Sequence, residues 1–259
     1  MIRGVALAIP ALLILLPACN EEPPSGLEGA VGPIALQESG KRLDPAICAP
    51  GQAGFTLGSH PYFPMEVGSQ WFYAGEEDGE LVELQITVLD ETRVIDAITT
   101  RVIEEREWED EELLEVSWNY FAKAPDGTIC YYGEDVDIFE DDEIIHEGAW
   151  CADDPPNQAG IFMPADPRPG MKYPNEIAPG VAEDRAKIVG SGPVTVPAGR
   201  FRKTIRVLEF NPLDGDMGFK VFALGVGLVI DGALELTSFV QDAPDGGTPI
   251  PTDQECGDL

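Results

Sequence analysis

The stretch Val82-Glu83-Leu84-Gln85-Ile86-Thr87-Val88 decides how this chain folds. Apolar and polar side chains alternate through it without a break. A period of two puts successive side chains on opposite faces of an extended backbone, so the segment is a strand with one face buried. The pattern returns in Leu114-Glu115-Val116-Ser117-Trp118-Asn119-Tyr120. Working outward, further strands are expected at 70–76, 98–105, 128–133, 186–189, 194–196, 204–210, 219–224, 227–231 and 234–240. Turn residues punctuate them: Asp78-Gly79, Pro125-Asp126-Gly127, Pro197-Ala198-Gly199, Asp214-Gly215 and Asp231-Gly232. These suit tight reversals. No window has a helical period, and the charged segment from Glu104 to Glu115 reads as a hairpin between two β-branched strands. The expectation is all-β: a single antiparallel meander of about ten or more strands, curled into an open barrel or a two-sheet sandwich. No repeat of fixed period is present, which disfavours a propeller.

The two ends read differently. Met1-Ile2-Arg3 precedes an apolar run from Val5 to Leu16, and then comes Leu16-Pro17-Ala18-Cys19. About a dozen apolar residues cannot span a bilayer, which needs roughly 20. Pro10 and Pro17 also oppose a stable anchor helix. Beyond this leader, 19–58 is rich in Gly, Pro and polar residues, and 243–259 is similar. The expected organisation is a signal peptide at 1–18, a flexible tether at 19–58, an antiparallel β domain at 59–242 and a C-terminal tail at 243–259.

The junction at Cys19 resembles the lipobox of bacterial lipoproteins, with Leu16 and Ala18 fitting the pattern and Pro17 a less usual occupant. That resemblance implies cleavage before Cys19 and acylation of the Cys19 thiol, so that the partner of this chain is a membrane reached through acyl chains. Asn20 stands where an Asp would retain such a protein at the inner membrane, so in a host with two membranes the outer membrane is favoured. The body of the chain resembles a group of uncharacterised secreted or lipid-anchored bacterial β-domain proteins. The resemblance rests on His60 through Trp71, Tyr132-Gly133-Glu134-Asp135-Val136-Asp137, Val194 through Phe201, and Gly225-Val226-Gly227-Leu228-Val229. It implies a fold and no activity.

Sixteen basic residues stand against 47 acidic ones, a formal charge of −31. That balance excludes nonspecific nucleic-acid binding, which needs a cationic face. It also predicts repulsion from an anionic lipid surface, leaving attachment to the acyl chains. Five cysteines less the acylated Cys19 leave Cys48, Cys130, Cys151 and Cys256, which in an exported protein reads as two disulfides. Cys130 and Cys151 are nearly equidistant from a turn near residues 140–141, so the expected pairs are Cys130–Cys151 and Cys48–Cys256.

Few residues point to chemistry. Glu134 to Glu143 is strongly acidic, and Asp135, Asp137 and Asp141 are candidate calcium ligands, although the spacing is not that of an EF-hand loop. Only two histidines exist, His60 and His146, and neither belongs to a recognisable catalytic motif. No Gly-rich loop suits a phosphate, and no cofactor is expected. Trp118 and Tyr120 share one face of their strand and, with Ile86, are candidates to line a ligand cavity. The reading is a lipid-anchored envelope protein with a binding or structural role rather than an enzyme. The alternatives are a periplasmic carrier of an apolar ligand and a hydrolase acting on envelope polymers. A cavity lined by Trp118, Tyr120 and Ile86 would favour the carrier. Close carboxylates in a cleft, or a His–acid pair, would favour the hydrolase.

Overall fold

Among the described residues fourteen strands follow one another with tight reversals between most of them, and every pairing of one strand with another is antiparallel. The computed structural model describes residues 40–77, 79–140 and 143–240. The strands are β1 (Gln70–Glu77), β2 (Glu80–Ile95), β3 (Ile98–Glu109), β4 (Glu112–Lys123), β5 (Ile129–Glu140), β6 (Glu143–Ile145), β7 (Trp150–Cys151), β8 (Gly160–Met163), β9 (Lys172–Pro174), β10 (Arg185–Val196), β11 (Gly199–Phe210), β12 (Met217–Ala223), β13 (Gly227–Asp231) and β14 (Leu234–Val240). The only helical element among the described residues is a short 3-10 turn at Pro45–Cys48. The expected all-β meander is what forms.

The ladder runs β6-β5-β4-β3-β2-β1-β14-β13-β12-β11-β10-β9, with β7 and β8 also paired to β5. Its middle is the pairing of the first strand with the last, where Trp71 faces Phe239 and Tyr73 faces Leu236. The sheet curls so that its two halves face each other. Phe121 of β4 and Tyr131 of β5 stack at 4.8 Å, and both meet Phe162 of β8. Phe162 in turn meets Phe222 of β12 at 6.0 Å. The ends approach at Gly160, where a Cβ would lie 1.8 Å from the Asn175 carbonyl oxygen. A single bridge joins Gln158 to Ile177 there, and the ladder does not close into a barrel.

Local sequence explains the bends. The β2–β3 reversal is made by Asp96 and Ala97, and the β3–β4 reversal by Asp110 and Glu111, all with positive φ. Two such residues in succession give the turn whose twist matches a hairpin. Pairing is interrupted between Val88 and Thr92, so β2 breaks its alternation there. Arg101 holds this irregularity by donating to the carbonyls of Leu89 and Asp90, at 3.1 and 3.0 Å.

The sequence reading differs from the structure at two places in this architecture. The expected tether is partly docked. Within 40–58, Thr56 exchanges backbone hydrogen bonds with Lys123, and Leu43 donates to the Lys172 carbonyl. Leu43, Ile47 and Phe55 pack on the core, which offsets the cost of ordering a segment of ordinary loop composition. The disulfide pairing is the second correction: Cys48 is bonded to Cys130, with Cα atoms 5.6 Å apart. The turn after Glu140 was placed well, but β6 ends at Ile145 and the chain loops out before β7. β7 then returns with Cys151 opposite Gly133, three residues from Cys130, while Cys130 faces Ile161 of β8. Cys151 is in a disulfide as well. Cys19, Asp141 and Cys256 lie outside the described residues.

The Cys48–Cys130 bond closes a separation of 82 residues. Loop-entropy arithmetic for a span of that length gives about 4.5 kcal/mol. The double variant Cys48→Ala/Cys130→Ala is expected to lose about 2–5 kcal/mol in urea unfolding. Peptide mapping of the unreduced protein is expected to recover Cys48 linked to Cys130; a Cys130–Cys151 fragment would contradict this.

Candidate functional site

The register separates two faces. Ile86 pairs with Glu105, and Glu105 with Ser117. Paired residues point the same way, so Glu105 joins the face that carries Trp71 and Ile86. By the same rule Glu107 and Glu115 lie opposite each other on this inner face. Asn119 pairs with Glu134. Across the curl, Val207 pairs with Lys220 and Lys220 with Asp231, while Ala186 pairs with Glu209. The inner face is therefore aromatic in one region and acidic in another, with Lys220 among the acids.

Lys220 donates to Asp231 at 2.8 Å and stands 3.8 Å from Glu209. Burial alone would lower its ionisation range, but Asp231, Glu209 and Glu105 together hold it above the ordinary lysine value. The carboxyls respond in the opposite direction. Burial pushes Glu105 and Glu209 up to about 7, against the pull of Lys220. Burial followed by the charge of Glu115 brings Glu107 to about 7. Glu134 also reaches about 7 through burial, although hydrogen bonds from Tyr131 and Trp150 work against the rise. Glu176, in the connection after β9, is raised further by burial and by the charge on Glu134.

These groups are surrounded by protein, yet they are not sealed. Glu105, Glu107, Glu115, Glu134, Glu176 and Glu209 are all half-buried, and Lys220 keeps 26% of its side-chain surface. Each of these side chains therefore retains some accessible surface. Tyr173, in the same cross-strand row as Ala186 and Glu209, is only 3% exposed, and its hydroxyl has no hydrogen-bond partner in the protein. The charge on Glu209 reaches it. Asn175 is 5% exposed and its Oδ1 is likewise unpartnered. Buried polar atoms without a protein partner are costly.

The residues expected to line a cavity are not brought together. Ile86 faces inward, whereas Trp118 pairs with Glu104 and Asp135 on the opposite face. Trp118 and Tyr120 are buried there under polar cover. The Trp118 indole donates to Glu104 at 3.2 Å, and Tyr120 donates to Asp135 at 2.5 Å with Arg93 above its ring. Two of the calcium candidates, Asp135 and Asp137, are engaged on the same outer face. Asp135 accepts from Arg93, and Asp137 contacts His146 at 2.6 Å, a His–acid pair that lies on this outer face and not among the inner carboxyls. No three His, Cys, Asp or Glu residues among those described converge as a metal cage would require. His60 is buried against the Ala165 carbonyl, and burial lowers its ionisation range.

Sequence reasoning missed the acidic inner cluster. Its members are scattered from β3 to β13 with no common spacing, and the one signal was Glu105, Glu107 and Glu115 at alternate positions of two neighbouring strands. No family model matches the chain, and neither a curated protein nor a solved structure matches it significantly.

Carboxyls that titrate near 7 when folded and near 4.3 when unfolded make the native state bind more protons between those values. Stability must then fall as pH rises from about 4.5 through 7. Calorimetry is expected to give a melting midpoint several degrees higher at pH 5 than at pH 8; a flat or rising profile would count against the cluster. Lys220→Met leaves Glu209 and Asp231 without their cation. It is expected to cost about 2–3 kcal/mol at pH 8, and less at pH 5, by chemical denaturation.

Proposed function

We propose that this chain is a non-enzymatic binding protein, held to the cell envelope by acylation of Cys19, whose ligand seat is the acidic inner face of the sheet. The observation that carries this reading is the set of half-buried glutamates around Lys220, with the Tyr173 hydroxyl and Asn175 Oδ1 left unpartnered beside them. Acceptors in that excess call for a cationic ligand. Because the carboxylates do not converge in threes, the fitting ligand is an organic oligocation with spaced ammonium groups rather than a single metal ion. An apolar ligand is less suited. The aromatic part of the interior is filled by its own rings, with Phe63, Phe121 and Phe162 at mutual centroid distances of 4.6 to 5.1 Å.

The seat holds protons when empty, since burial lifts its carboxyls to about 7. An oligoamine that enters exchanges its own charge for those protons. Spermine serves as the probe. Titration calorimetry of the mature protein at pH 7, in two buffers of different ionisation enthalpy, is expected to show binding with net proton release. Glu105→Gln/Glu209→Gln is expected to weaken it at least tenfold. Absence of spermine binding, or binding indifferent to that pair, would overturn the seat. The anchor is tested separately: Cys19→Ser is expected to appear in the soluble fraction after a wash at about 0.5 M salt, which screens surface charge within a few ångströms. Retention on membranes after that wash would contradict it.

A further inference from the structure

The charge of −31 is unevenly distributed. β9, β10, β11 and β12 together carry eight of the sixteen basic residues and a single acid, Glu209, which points inward. Register assembles the outward-facing ones into rows. One row reads Lys172, Lys187, Leu208, Phe219 across the four strands, and the next reads Arg185, Phe210, Met217 across β10 to β12. A third is Gly190, Arg206, Val221, Ile230. Arg200 and Arg202 extend the basic surface along β11, both exposed. Acidic residues return at the margin, as Asp214 and Asp216 in the β11–β12 turn and Glu183 and Asp184 just before β10.

Two further properties distinguish this face. None of Lys172, Arg185, Lys187, Arg200, Arg202 and Arg206 is engaged in an ion pair among the described residues. Elsewhere the outer face behaves otherwise: Arg93 and Arg106 are held by Asp135 and Glu104. Large apolar side chains also protrude between the free cations: Met217 is 68% exposed, Phe219 53% and Phe210 38%. Val189, Val194, Phe219 and Val221 line a shallow apolar recess of about 540 Å³ with Arg206 at its wall.

We infer that the outer face of β9–β12 docks on an anionic lipid bilayer. Unpaired arginines and lysines around protruding Met and Phe side chains are what an interfacial surface requires: the cations meet the headgroups, and the apolar side chains enter the boundary with the acyl region. The expected repulsion of the whole domain from such a surface is thereby reversed for this one face. Charges further away than about 8 Å are screened at physiological salt, so a local patch outweighs a distant net charge. The inference rests on the proposed Cys19 anchor only for bringing the face near a membrane, and its test dispenses with the anchor.

The mature chain carrying Cys19→Ser is mixed with vesicles of phosphatidylcholine alone or with about one third phosphatidylglycerol, and sedimented. Binding is expected to the anionic vesicles only, and to fade as salt is raised, as surface electrostatics must. The triple variant Arg185→Gln/Arg202→Gln/Arg206→Gln is expected to reduce it by on the order of fivefold per charge removed. Met217→Ser/Phe219→Ser is expected to weaken it in both low and moderate salt. All these sites are exposed, and circular dichroism verifies that each variant keeps its strands. Equal binding to both vesicle types, no binding to either, or binding unaffected by the triple variant would overturn the proposal. So would a concentration-dependent dimer that the triple variant abolishes, since the face would then meet the acidic surface of a second copy. Release of Cys19→Ser from cell membranes after a salt wash bears on the anchor alone.

Discussion

Everything in this fold depends on the pairing of β1 with β14. Without it the ladder would be two separate meanders, β6 to β1 and β14 to β9, each with an uncovered inner face. The join is reinforced by side chains that cross from β1 to the neighbourhood of β13. Trp71 donates its indole N–H to the Val226 carbonyl at 2.7 Å, and Tyr73 donates to the Leu228 carbonyl at 3.0 Å. Both donors are buried, so each bond replaces water that the ring has lost. Once the halves are joined, the usual twist of a long antiparallel sheet brings them face to face, and Phe121 can reach Phe162 and Phe162 can reach Phe222.

How much of this was legible in the sequence follows from which facts are local. Strand existence is local: alternation from Val82 to Val88 and turn residues such as Asp231-Gly232 state it directly, and the meander followed. The face on which a side chain ends is not local. Ile86 and Trp118 are both apolar members of alternating strands, but their relative face depends on register, which pairs Ile86 with Glu105 and Trp118 with Glu104. A shift of one residue would have put them together. The cysteine pairing failed for a similar reason. Counting outward from a turn assumes an uninterrupted hairpin, and here β6 stops pairing with β5 after Ile145 and the chain returns as β7 three residues out of place for Cys130. Gly133 allows that return, since a Cβ there would lie 2.1 Å from the Trp150 carbonyl oxygen. The docking of 40–58 was hidden because its bonds to Lys123 and Lys172 are long-range and its composition is that of a loop.

The acidic interior goes against the ordinary economy of a core. A carboxylate taken out of water without a partner is destabilised, and here one lysine is shared by several. The fold tolerates them through proton uptake, which the rise of Glu105, Glu107, Glu134 and Glu209 to about 7 expresses, and through the accessible surface each retains. A sheet evolved for stability alone would place apolar residues at those positions, as it does at Ile86, Val88 and Ile103 of the same face. Departures of this kind, where local rules are broken at measurable cost, tend to gather at sites of function.

β11 and β12 contribute to both unusual surfaces. On β11, Glu209 points inward beside Leu208 and Phe210, which point outward; on β12, Lys220 points inward between Phe219 and Val221. Strand alternation is therefore the device that separates an acidic seat from a basic, apolar exterior across the thickness of one sheet. Overall charge conceals this arrangement, because −31 is a sum over both faces. Shifting β11 by a single residue would carry Glu209 to the outside and Arg206 to the inside. The bulges near Val189 and Val194 fix where β10 meets β11, and so which residues share each cross-strand row.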